Sequence, residues 1–115
     1  MEINLNELIN EYNGYLSNVK SGCEQIVIYL KEENLFKALK MIRDFSEGML
    51  WIEKVEEYLN TQNITTLLDL KKINEYLIDI NEGLENQDFI LVSDVFEYEI
   101  VPFFQENYTI DSRGN

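Results

Sequence analysis

FILVSDVFEYEIVPFF, residues 89–104, places eleven large apolar or aromatic side chains in sixteen positions. Wound as a helix at about 100° per residue, Phe89, Leu91, Val92, Val95, Phe96, Tyr98, Ile100 and Phe103 cover more than half of the circumference, a wider apolar face than a surface helix carries. Such a helix must be wrapped by neighbours. The remaining face holds Asp94 and Glu97 with Ile90, Val101 and Phe104, whereas Glu99 falls among Val92, Val95, Phe96 and Phe103. A carboxylate in an apolar groove must take up a proton or find a donor. Glu99 is therefore read as a structural buried polar residue, with Arg43, a lysine of the second helix or a tyrosine hydroxyl as its expected partner. Pro102 has no amide proton and would leave the Tyr98 carbonyl without its helical donor, so the helix is expected to kink or restart there. A kink at that point is the alternative that would turn Glu99 outward.

Upstream, three more helical patterns precede this stretch. In Leu5–Leu30, Leu5, Tyr12, Val19 and Ile26 recur every seven residues with Leu8, Tyr15 and Tyr29 in the next row, a wide stripe facing a core. Asn4 or Asn6 can cap its start, while Gly14 and Gly22 each cost about 1 kcal/mol relative to Ala and are places where the helix would bend or be approached closely. Glu32 to Asn34 suits a tight reversal. Leu35–Leu59 carries Leu35, Ala38, Leu39, Ile42, Phe45, Met49, Ile52 and Leu59 on its main face, and four of the nine basic residues: Lys37, Lys40, Arg43 and Lys54. Beside that face runs a second apolar strip through Gly48, Trp51, Val55 and Tyr58 that something must cover: the C-terminal helix of the same molecule, a second copy or a partner helix. After a polar break at residues 60–65, Thr65 or Thr66 is the expected cap of a third helix with Leu67, Leu70, Ile73, Leu77, Ile80 and Leu84 inward, and Asp88 caps the fourth. Four helices with short connections imply an all-α, up-down antiparallel four-helix bundle spanning residues 1–108, followed by a disordered tail at 109–115.

The charge narrows the function. Twenty-two acidic residues against nine basic ones give a net charge of -13, spread along the chain. Nucleic-acid phosphates and anionic membranes are disfavoured as partners, because both are bound by clustered Lys and Arg. A basic protein partner is electrostatically easier. The single cysteine, Cys23, rules out an internal disulfide and reads as a small core residue. The opening MEINLNEL has neither a basic n-region nor an apolar h-region, and the expected location is the cytoplasm.

The chain contains no histidine, which removes Ser-His and Cys-His nucleophile systems and the Glu-x-x-His di-iron site together. The five glycines at 14, 22, 48, 83 and 114 are isolated, so no phosphate-cradling loop is present. Asp88, Asp94 and Glu97 offer oxygen ligands, but one helix face cannot encircle an ion and their spacing matches no EF-hand. The expectation is no cofactor, no metal and no catalytic residue. Partner contact is assigned to Gly48, Trp51, Val55 and Tyr58 together with Asp94 and Glu97.

Asp94-Val-Phe-Glu97-Tyr98-Glu99-Ile-Val-Pro102 resembles a D-x-x-E-Y-E-x-x-P element of small all-helical bacterial proteins to which no activity is attached. That resemblance covers about ten residues and implies a helical fold alone. Flagellar-type export chaperones are an analogy at the level of fold, being small acidic helical proteins with apolar grooves. The leading expectation is thus a non-enzymatic interaction module, chaperone-like or adaptor-like, that binds another protein or a second copy of itself. The alternatives are an immunity-like, antitoxin-like or nucleic-acid-mimicking protein that neutralises a basic target, and a carboxylate-metal enzyme.

Overall fold

The computed structural model describes residues 4–111, all-helical and without a strand among them. Three continuous helices, α1 (Leu5–Lys31), α2 (Leu35–Thr61) and α3 (Leu70–Glu85), precede a C-terminal helical run. That run consists of α4 (Phe89–Val95), a π segment (Phe96–Ile100) and α5 (Val101–Phe103). Each start is fixed by an Asn or Asp whose side chain accepts an otherwise unpaired amide of the first turn. Asn4 accepts from Glu7 N–H, Asn34 from Lys37, Asp69 from Lys72 and Asp88 from Leu91.

The helices end alike. Glu33, Asn63 and Gln87 each adopt a positive φ of 58°, 61° and 53° just past α1, α2 and α3. Their neighbours Asn34, Ile64 and Asp88 donate back to the carbonyls of Tyr29, Leu59 and Gly83, which closes three Schellman motifs. In two of them the residue after the left-handed position is also the cap of the next helix, so Glu32-Glu33-Asn34 and Asn86-Gln87-Asp88 are the same three-residue connection used twice.

The buried positions of α1 are Ile9, Tyr12, Leu16, Val19, Cys23, Ile26 and Leu30, with Val27 beside them, and they alternate three and four residues apart. On α2 the same alternation runs through Ala38, Ile42, Phe45, Met49, Ile52, Glu56 and Leu59, with Val55 beside it. This is a narrower seam than the stripe inferred from the sequence; Leu8, Tyr15 and Tyr29 are only half-buried and Leu39 is exposed. α1 packs along α2 on one side and along the C-terminal run on the other, and α3 packs mainly on α4. At that last contact Gly83 is buried under Val92, where a Cβ would come within 2.7 Å of Cγ2. The aromatic centre of the core joins Phe45 of α2 to Phe96 and Phe104, with ring centroids 5.4 and 6.4 Å apart.

Two expectations are corrected here. The third helix begins at Leu70 and is capped by Asp69, not by Thr65 or Thr66, and Leu67, expected inward, is exposed while Leu68 is buried. Of the expected tail at 109–115, residues 109–111 are described: Ile110 is buried and Asn13 of α1 clasps its backbone. The Asn13 amide donates to the Ile110 carbonyl and accepts its N–H, both at 2.7 Å. Residues 112–115 of that tail lie outside the described residues.

Candidate functional site

The C-terminal run decides which carboxylates face solvent. In its π segment hydrogen bonds reach one residue further than in an α-helix, and Val101 N–H accordingly bonds to the Phe96 carbonyl five residues back. Pro102 then falls in the first turn of α5, where a missing N–H leaves little unpaired. The extra residue also shifts the phase of everything after it. Buried positions become Val92, Phe96, Ile100 and Phe104, four apart throughout, instead of drifting back to position 99. Glu99, which regular α geometry would set roughly 20° from Val92, is exposed, and Ile100 takes its place in the core. The reading of Glu99 as a buried polar residue is therefore corrected.

Asp94 is exposed and Glu97 half-buried. Glu97 Oε2 accepts from Lys31 Nζ at 2.6 Å, an ion pair tying the end of α1 to the π segment. The Lys31 hydrogen bond holds Glu97 below the ordinary carboxylate range and raises Lys31 in return. Exposed beside these carboxylates are Ile90 at 78% and Tyr98 at 69%, with Leu91 next to them in sequence.

The strip of Gly48, Trp51, Val55 and Tyr58 is not open surface. Tyr15 of α1 lies across its first half: its ring meets Trp51 edge-on with centroids 6.1 Å apart, and a Cβ at Gly48 would come 2.6 Å from Tyr15 Cζ. Val55 is buried. Gly48 and Val55 are thus packing residues, a correction to their assignment as partner contacts; Trp51 and Tyr58 remain half-buried. The element that covers the first half of the strip is α1, because the absent Gly48 side chain admits the Tyr15 ring.

The carboxylate that does enter the core is Glu56, only 4% exposed. Tyr12 of α1 donates to its Oε2 at 2.8 Å, and Thr66 of the connection between α2 and α3 donates to its Oε1 at 2.5 Å. Among the described residues no buried side-chain nitrogen or oxygen lacks a partner. Burial and the Glu56 hydrogen bond push Tyr12 far above the ordinary phenol range. A fully buried neutral phenol on a buried carboxylate holds two helices and a connection together and presents nothing to a substrate. The signal for it was in the sequence: in the three-four alternation of α2, the step from Ile52 to Leu59 has a vacant place, and Glu56 stands in it.

Cys23 is a core residue that lines an apolar cavity of about 200 Å³ between α1 and α2, with Gly22 and Phe45 among its walls. Burial, followed by the charge of Glu24, pushes its thiol up to about 12, which suppresses the thiolate. Among the described residues no three Asp, Glu or Cys side chains gather as a metal centre would need, and no helix is long and apolar enough to cross a membrane.

The protein is small and acidic, all-helical among its described residues, and stitched internally by the Tyr12–Glu56–Thr66 hydrogen bonds. By sequence it belongs to the family described as Domain of unknown function (DUF8042), whose model matches residues 7–109. No curated protein and no solved structure matches the chain.

Proposed function

We propose that the protein is a non-enzymatic protein–protein interaction module, an up-down antiparallel four-helix bundle that docks a basic protein on the outward face of its C-terminal helix. The observation that carries this reading is the exposure of Ile90 and Tyr98 beside Asp94 and the Lys31–Glu97 pair. Apolar side chains among carboxylates suit a partner that surrounds an apolar centre with Lys and Arg. The antiparallel arrangement is supported by cross-helix pairs whose numbers rise on α2 as they fall on α1: Tyr15 with Trp51, Tyr12 with Glu56. In this reading the last helix bends at the π segment ahead of Pro102, and the protein works in the cytoplasm.

Affinity capture from the native host tests the reading. The wild-type chain should retain a basic protein that the Ile90→Ala/Tyr98→Ala double variant loses, with unchanged helicity in both. Equal retention by the two, or no retained partner, would reject it. A captured toxin or nucleic-acid-binding protein would move the reading to the immunity-like alternative.

A further inference from the structure

We propose that a second copy of this chain docks on the outer face of α2, the two α2 helices running antiparallel about a two-fold axis near Arg43. This rests on the interaction-module reading and names a surface separate from the C-terminal face. Phe36 is 83% exposed, and Leu39 and Leu50 on the same helix are exposed as well. Phe36, Leu39, Arg43, Ser46 and Leu50 recur at intervals of three and four, a second seam on the side of α2 turned away from Ala38, Ile42 and Met49. Among the described residues nothing covers its apolar members Phe36, Leu39 and Leu50, and Phe36, Leu39, Lys40 and Arg43 line an open hollow on it.

The charges on α2 select the occupant. Residues 35–43 carry Lys37, Lys40 and Arg43 and no acid, whereas residues 44–57 carry Asp44, Glu47, Glu53, Glu56 and Glu57 against Lys54 alone. With Glu56 buried, the surface of α2 is still basic at its start and acidic at its end. An isologous pair requires that what one copy offers at a position, the other accepts at the mirrored one. An antiparallel pair centred two residues past Arg43 sets Arg43 of one copy on Glu47 of the other and brings Phe36 within about one helical turn of Leu50. A parallel pair would stack the basic half on itself. Two chains of net charge -13 repel across most of their surface; α2 holds four of the nine basic residues and meets its copy with opposite charges.

Sedimentation equilibrium at about 100 µM, far above the dissociation constant of a micromolar complex, tests the pairing. The wild type should show twice the 13.6 kDa chain mass. Arg43→Glu and Glu47→Arg should each fall to the monomer mass with unchanged circular dichroism, since both residues are exposed. Mixed in equal amounts, the two variants present carboxylates to guanidinium groups on both sides of the axis, and the doubled mass should return. A monomeric wild type, a dimer untouched by Arg43→Glu and Leu50→Lys, or a mixture that stays monomeric would each overturn the proposal. Capture of a basic partner through Ile90 and Tyr98 is a separate readout that none of these α2 variants should alter, so failure of the dimer leaves that reading standing.

Discussion

Tyr12→Phe removes one of the two donors to Glu56 while leaving the ring in place. A hydrogen bond to a carboxylate contributes about 1.5–3 kcal/mol, and an acceptor left short in the core loses its hydration as well. The single variant should therefore cost about 2 kcal/mol, a large share of the 5–15 kcal/mol typical of a domain. With a urea slope of about 2 kcal/mol per molar for a chain of this size, the unfolding midpoint should drop by about 1 M. Glu56→Leu leaves two hydroxyls, one of them fully buried, without an acceptor and should cost a similar amount. The double variant Tyr12→Phe/Glu56→Leu removes both ends of the bond and should cost less than the sum by about 1–2 kcal/mol. Urea titrations followed by circular dichroism provide all four corners of the cycle. A midpoint for Tyr12→Phe within about 0.2 M of wild type, or additive costs, would refute the claim that this pair holds α1 to α2.

Glycines at similar places in the two long helices should respond with opposite signs. Gly22→Ala has no foreign atom within 4 Å of the new Cβ and should raise stability by about 0.5–1 kcal/mol. Gly48→Ala drives a methyl into the Tyr15 ring and should cost about 1–3 kcal/mol, with Tyr15→Leu in the same chain recovering part of it; thermal melts of the three variants check this. Glu33→Gly and Gln87→Gly relieve positive φ values in residues with a Cβ and should each add about 0.5 kcal/mol, read as a rise of a few degrees in melting temperature. At high pH the protein should lose stability. The folded state holds the protons of Cys23, Tyr12 and Tyr15 above their ordinary values of 9.0 and 10.0, so above those values it binds more protons than the unfolded chain. Stability is then full below about pH 9 and declines as pH rises through the thiol value of about 12. Phenolate absorbance should show two tyrosines that ionise only as the helices melt; early titration of all seven tyrosines would contradict it.

What the sequence made legible was whatever repeats with an undisturbed helical period. The rows through Tyr12, Val19 and Ile26 and through Ala38, Ile42 and Phe45 set two long helices; Asp88 was recognisable as a cap because it stands just before an apolar run, and Asn4 was one of two candidates with Asn6. Where local pattern competes with a tertiary demand, the pattern misleads. Thr66 has the chemistry of a cap, yet its hydroxyl serves Glu56, and Asp69 starts the helix. Ile110 sits in a polar tail with no period of its own, yet it is buried in the core, its backbone clasped by Asn13, 97 residues away in sequence. Glu99 was misplaced because a wheel at constant angle cannot contain a π segment. The interaction strip went astray for a related reason: Gly48 looks like a gap in a surface, whereas Tyr15 fills that gap from a helix whose position no single-helix pattern specifies.

The outward face proposed for partner binding depends on the register of residues 96–104, and thiol labelling reads that register directly. Cys23 is buried with its thiol held up to about 12, so it stays silent at neutral pH and the reporter can be placed elsewhere. In separate variants, Glu99→Cys should react at the rate of an exposed thiol, and Ile100→Cys should be protected until the protein unfolds. The reverse outcome, position 99 protected and position 100 labelled at once, would mean an uninterrupted α-helix and would contradict the account.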